Sequence, residues 1–231
     1  MIGTNKDKEF DQFGLENYEE FYAHHQFVET KDGDAENVHE IVPRFGWGFD
    51  VVEEFQPKNL LDIGTLDGSF PITIARHFGI PVTGIDLTVD GIELAKKRAK
   101  ALGLDAEFYQ GYAEEILEQF IKEGRKFDLI TAFEIIEHVK DTKVFLSLID
   151  KLLAPGGNVL LSTPDFESPL YGKDDEKNKC HIRLYTTADD DYEAVNKYGN
   201  VRKATSMSKE IGSDRIKEMG VYSHLINCRY Q

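Results

Sequence analysis

The tightest constraint on this chain is a pair of short apolar runs that each close on an acid, with a glycine turn behind the first. LLDIGTLDGSF, residues 60–70, reads as a buried strand of Leu60, Leu61 and Ile63 carrying Asp62 near its end. Gly64 and Gly68 bracket the turn that follows, and a helix starts after it. Glycines allow positive φ and close backbone approach, so a ligand can lie against the chain there. About twenty residues on, VTGIDLT repeats the pattern, a second apolar run ending in Asp86.

An acid at that distance beyond a glycine turn suits a nucleoside, because its carboxylate accepts the ribose hydroxyls. The surrounding pattern agrees. Strands are expected at 59–63, 82–85, 106–110, 127–132 and 158–162, with helices at 69–78, 90–102, 113–123 and 141–153. IELAKKRAKALG is amphipathic and stops at Gly103. Strands alternating with helices of these lengths imply an α/β, Rossmann-like fold. Its sheet is mostly parallel and doubly wound, with helices on both faces. Ligands then bind at the carboxyl ends of the strands.

Residues 58–165 form the expected core. Residues 1–57 read as a helical extension or lid, rich in aromatics such as Phe10, Phe13 and Tyr18, and ending in a helix over 38–56 broken near Pro43. Residues 166–231 read as a long polar loop, a helix capped by Thr187 and a short final strand in LINCRYQ. That region looks too short for a full set of closing strands, so a truncated or rebuilt sheet edge is expected. Arg183 and Tyr185, after the loop, are candidates for the mouth of a pocket.

The 27 basic and 42 acidic residues give a net charge of −15, which weighs against a nucleic-acid partner. Two cysteines, Cys180 and Cys228, lack the spacing of a zinc or disulfide framework, and a reduced, cytoplasmic setting is the default. The first residues lack a signal-peptide core, and no apolar run reaches membrane-spanning length. An acidic chain of this size is compatible with a monomer or a homodimer.

Asp62 and Asp86 suit a nucleoside without saying which. The turn reads G-T-L-D-G where a dinucleotide favours G-x-G-x-x-G, and Asp67 inside it would repel a phosphate. A cationic, phosphate-free cofactor fits better, and S-adenosyl-L-methionine is one. The chain resembles the class I S-adenosylmethionine-dependent methyltransferases through LLDIGTLDGSF, GIDLT, FYQGYAEEI, KFDLITAFEIIEHVKD and LLAPGGNVLLSTPD, in the family's order. FDLITAFEIIEHV followed by LAPGG and LSTP looks most like the ubiquinone-biosynthesis O-methyltransferase type, with related small-molecule methyltransferases similar. The resemblance implies that Asp62 and Gly64 lie near the methionine end of the cofactor, and that Thr65 and Gly68 of the same turn also bind it. It implies that Asp86 takes the ribose hydroxyls with Leu87 beside the adenine. Ala113 and Glu114 would meet the adenine edge, and Phe133 and Glu134 would follow the fourth strand next to the cofactor. Two positions depart from the pattern. Leu66 replaces the middle glycine, so either the turn bends differently or the cofactor shifts. Tyr112 replaces an acid and could stack on or cover the ring.

EIIEH offers a second chemistry. On a helix, Glu134, Glu137 and His138 would share one face, a plausible ligand set for Mg²⁺ or Mn²⁺ that His181 could complete. The pattern resembles the metal site of small-RNA 2′-O-methyltransferases. A metal there would acidify a substrate hydroxyl. Without one, His138 is a candidate general base, or Glu137 and His138 only pack and cap. The expected function is methyl transfer to a small-molecule acceptor, most simply an oxygen. An RNA methyltransferase with a metal site and a non-catalytic cofactor-binding protein are the alternatives.

Overall fold

The computed structural model describes residues 43–164, 200–206 and 223–229. Helix α1 (Pro43–Phe55) leads into strand β1 (Leu60–Ile63). Then come α2 (Ser69–Phe78), β2 (Val82–Asp86), α3 (Val89–Leu102), β3 (Ala106–Gln110), α4 (Ala113–Lys122) and β4 (Phe127–Phe133). α5 (Thr142–Leu152) passes directly into β5 (Leu153–Pro164), and β6 (Asn200–Ser206) and β7 (Ser223–Arg229) follow.

The strands form one sheet in the order β3-β2-β1-β4-β5-β7-β6. The first five are parallel, and β7 runs antiparallel between β5 and β6. The doubly wound expectation holds. The expectation of a truncated edge does not. β7 pairs with β5 from Asn158↔Arg229 to Pro164↔Ser223, and β6 covers β7 in turn. Pairing over so long a sequence separation leaves no local mark, which is why a region that reads as short still closes the sheet. The Pro155-Gly156-Gly157 segment lies within β5. The register with β4 jumps there from Phe127↔Leu153 to Leu129↔Asn158, and Gly156 takes φ +78°.

Side-chain alternation divides the core between the two faces of the sheet. Leu61, Ile63, Ile130 and Leu161 pack on one face against Leu117 and Phe120 of α4 and Phe145 and Ile149 of α5. Leu60, Val82, Leu129 and Leu160 pack on the other against Val52 of α1 and Phe70 and Ile74 of α2. Local signals set the helix ends. Gly79 and Gly103 take left-handed φ at the ends of α2 and α3, and their N–H groups return to the last turns. The Asp141 carboxylate caps α5 by accepting from Lys143 N and Val144 N. This arrangement brings the carboxyl ends of β1, β2, β3 and β4 to one edge.

The aromatic N-terminal segment, His181, Arg183, Tyr185 and the Thr187 helix all lie outside the described residues.

Candidate cofactor-binding site

The turn after β1 hangs from the end of β2. Gly64 N and Thr65 N both donate to Ile85 O, at 2.8 and 3.0 Å. Gly64 and Gly68 take φ of +77° and +73°, as the sequence requires of them. Leu66 also takes a left-handed φ, +52°. An L-residue costs roughly 1–2 kcal/mol in that region. The neighbours hold it there. Leu66 N donates to Asp86 Oδ2 at 2.7 Å, and its carbonyl packs on Gly91, where a Cβ would come within 2.7 Å of it. The turn therefore holds Leu66 in a left-handed conformation that glycine would adopt without that cost.

Asp86 stands at the end of β2, half-buried. Its Oδ1 accepts from Thr88 N at 2.9 Å and Thr88 Oγ1 at 2.8 Å. Burial pushes its carboxyl above the ordinary carboxylate range, against the opposing hydrogen bonds from Thr88, Leu66 and Leu87. Asp62 is buried in β1, and Thr131 Oγ1 of the adjacent β4 donates to its Oδ1 at 2.6 Å.

Asp67 does not carry the charge argument made from the sequence. It is buried, its Oδ2 lies 2.6 Å from Arg98 Nη1 of α3, and its Oδ1 accepts from Ser69 N and Ser69 Oγ at the start of α2. The turn's acid is neutralised inside the fold and presents no free charge to a ligand. Thr65 differs: its hydroxyl is buried and has no hydrogen-bond partner among the described residues. A buried orphan hydroxyl costs about 1–3 kcal/mol unless a ligand or water meets it.

At the end of β3, Tyr112, Ala113 and Glu114 are half-buried, with Tyr112 as the N-cap residue of α4. Half-buried Leu87 faces the same edge, and its carbonyl accepts from Gln110 Nε2 at 2.8 Å. Gln110, Thr131 and Ser162 carry no local sequence mark of a place at this edge. Only Thr88 left a signal, a hydroxyl two residues beyond an acid at a helix start.

EIIEH is not helical. After β4 the chain turns over 136–138, with His138 N donating to Ile135 O, and α5 starts only at Thr142. Glu134 takes φ +56°, and its N–H donates to Ser162 O at 2.9 Å. Its Oε1 accepts from Ser162 Oγ at 2.6 Å. Glu137 is buried, with Oε2 accepting from Thr163 Oγ1 at 3.1 Å and Oε1 3.9 Å from His138 Nε2. The shared helical face does not exist because β5 draws the two glutamates to successive residues on opposite faces of the strand. Among the described residues no three His, Cys, Asp or Glu side chains converge as a metal site. Phe133 is buried edge-on against Phe70 at 5.1 Å, so it lines the site mainly as a packed ring.

Asp62, Asp86, the glycine turn and the orphan Thr65 hydroxyl thus meet beside Leu87 and the start of α4. This is a fitting cradle for a nucleoside with a polar tail. The methyltransferase-domain family model matches residues 55–218. The chain belongs to the class I S-adenosylmethionine-dependent methyltransferase family. The chain is 34% identical over 134 residues to the ubiquinone biosynthesis O-methyltransferase of Histophilus somni, covering 57% of this chain and 56% of that one. It spans about half the length of the curated relatives it matches. A protein from Pyrococcus horikoshii OT3 superimposes with a TM-score of 0.65 at 17% identity, over 92% of this chain and 99% of that one. The magnesium protoporphyrin IX methyltransferase from Synechocystis PCC 6803, with bound SAH, gives 0.62 at 14% identity over 96% of each chain. These two likenesses show the fold. Among the described residues, no helix is long and apolar enough to cross a membrane.

Proposed function

We propose that this methyltransferase binds S-adenosylmethionine at the edge formed by β1, β2, β3 and β4 and methylates an oxygen of a small-molecule acceptor. When bound, the cofactor supplies a methyl group activated by a sulfonium. The observation that carries the cofactor assignment is the pairing of a left-handed turn at Gly64–Gly68 with a half-buried Asp86 one strand away. The preference for oxygen rests on relatives named as ubiquinone biosynthesis O-methyltransferases.

In this reading Asp86 accepts from the ribose, Leu87 and the Tyr112–Glu114 segment border the base, and Thr65 Oγ1 and Asp62 face the amino-acid tail. Methyl transfer needs alignment and a dry site more than covalent help. Buried Phe133 and Ile136 exclude water where β4 ends. His138, buried with the Glu137 carboxylate 3.9 Å from Nε2, is the candidate acceptor of the hydroxyl proton. No step here is assigned to Mg²⁺ or Mn²⁺.

The test is a methyl-transfer assay with the full chain, using S-adenosylmethionine and a panel of phenols, hydroxylated quinols and short RNAs. Transfer to a phenol or quinol oxygen, lowered about 10²-fold or more in His138→Gln, supports the reading. Transfer only to RNA would overturn it.

A further inference from the structure

The open face that a glycine leaves at position 64 is already taken. An added Cβ there would overlap Ile135 Cδ1 and Cγ1, so an isoleucine from the segment after β4 fills the place of the missing side chain. Ile135 is held there from three directions. Before it, Glu134 takes φ +56° and is fastened to Ser162 of β5 by its N–H and its carboxylate. After it, His138 N donates to Ile135 O at 2.9 Å. Its side chain packs on the core cluster that includes Ile63 and Ile136. Ile135 is nevertheless only half-buried, so an aliphatic surface remains beside the glycine turn.

The order of the strands fixes what this surface divides. From β3 through β2 to β1 the carboxyl ends carry the Tyr112–Glu114 segment, then Asp86, then Asp62 with the glycine turn, and β4 and β5 come next. With S-adenosylmethionine bound as proposed, the first three ends take base, ribose and tail. The ends of β4 and β5 are left for the acceptor, and Ile135 reaches from the end of β4 onto Gly64 of the β1 turn.

We propose that Ile135 is a specificity-determining residue for the acceptor, an aliphatic wall that excludes bulk beside the oxygen that takes the methyl group. The proposal rests on the reading of this site as methylating an oxygen of a small molecule. A β-branched side chain is stiff at χ1, and this one is anchored through the backbone on both sides, so it does not swing away from a neighbouring substituent. The methyltransferase therefore favours acceptors whose hydroxyl stands clear of adjacent groups.

The experiment compares two acceptors of identical composition with the full chain as wild type, Ile135→Val and Ile135→Ala. In 3,6-dimethylcatechol the methyls flank both hydroxyls, and in 4,5-dimethylcatechol they stand away from both. kcat/KM for methyl transfer is measured for each isomer, and S-adenosylhomocysteine affinity by calorimetry. Wild type is expected to favour the unflanked isomer about tenfold or more. Ile135→Val should narrow that preference and Ile135→Ala bring it within about threefold, with S-adenosylhomocysteine affinity staying within about threefold of wild type. No preference in wild type, or a preference unchanged in Ile135→Val and in a folded Ile135→Ala, would overturn the assignment of Ile135. So would a loss of S-adenosylhomocysteine affinity that accounts for equal losses of transfer to both isomers. Binding of S-adenosylhomocysteine to wild type without transfer to either isomer would instead remove the phenolic-oxygen reading, and the role of Ile135 with it.

Discussion

Ser162 Oγ donates a hydrogen bond to Glu134 Oε1 at 2.6 Å, and this contact fastens a left-handed glutamate at the end of β4 to the strand beside it. Non-glycine residues in that region persist only where their surroundings over-determine them. Here the Glu134 N–H also reaches Ser162, so backbone and side chain are held from one position. Ser162→Ala is expected to lower the unfolding free energy by about 1–3 kcal/mol, since it orphans a glutamate oxygen. Glu134→Gly relieves the backbone strain as it removes the carboxylate, and is expected to cost less. Urea denaturation of the two variants side by side checks the ordering.

Gly64 is constrained twice. Its φ is +77°, and an added Cβ would overlap Ile135 Cδ1. Gly64→Ala is expected to destabilise by about 2–4 kcal/mol, combining backbone strain with overpacking. Adding Ile135→Ala should recover only the steric share. Full recovery in the double variant would show that the conformation of Gly64 carries no cost.

The Asp67–Arg98 pair predicts an asymmetry. With side-chain exposures of 5% and 18%, the pair is largely shielded from water. Removing only the cation leaves a buried anion, so Arg98→Met is expected to cost about 3 kcal/mol. Asp67→Asn keeps a hydrogen-bonding group beside Ser69 and should cost less. Thermal melts at fixed pH separate the two.

Asp86 gives a pH dependence whose sign follows from its raised carboxyl. The native state holds that proton more tightly than the unfolded chain. The stability contributed by Asp86 is therefore greatest at acid pH and declines as pH rises from the ordinary carboxylate range through the raised value. Ligand binding runs the other way, because the ionised carboxylate is the better hydroxyl acceptor. S-adenosylhomocysteine affinity is expected to climb as pH rises from the ordinary carboxylate range through the raised value and then level. Asp86→Asn should flatten that climb.

The parts of this molecule readable in advance are those with short-range causes. Glycine at Gly79 and Gly103 ends two helices, and strand alternation places Leu60 and Leu61 on opposite faces. The spacing of Asp62 and Asp86 from the turn follows from the strand–turn–helix unit itself. What escaped reading depended on partners distant in sequence. Glu134 leaves the helical region because Ser162 holds it, so a segment with no helix breaker forms no helix. Asp67 looked like a free charge because Arg98, on the next helix, is invisible to a local pattern. The antiparallel insertion of β7 beside β5 likewise needs the whole sheet to be legible.

In the proposed function, Asp86 is the group that fixes S-adenosylmethionine to the end of β2. Calorimetric titration of S-adenosylhomocysteine into wild type and Asp86→Ala tests this most directly. Saturable binding to wild type, weakened about tenfold or more in a folded Asp86→Ala variant, is the predicted result. Equal affinity in the two proteins, or no binding to wild type, would contradict it.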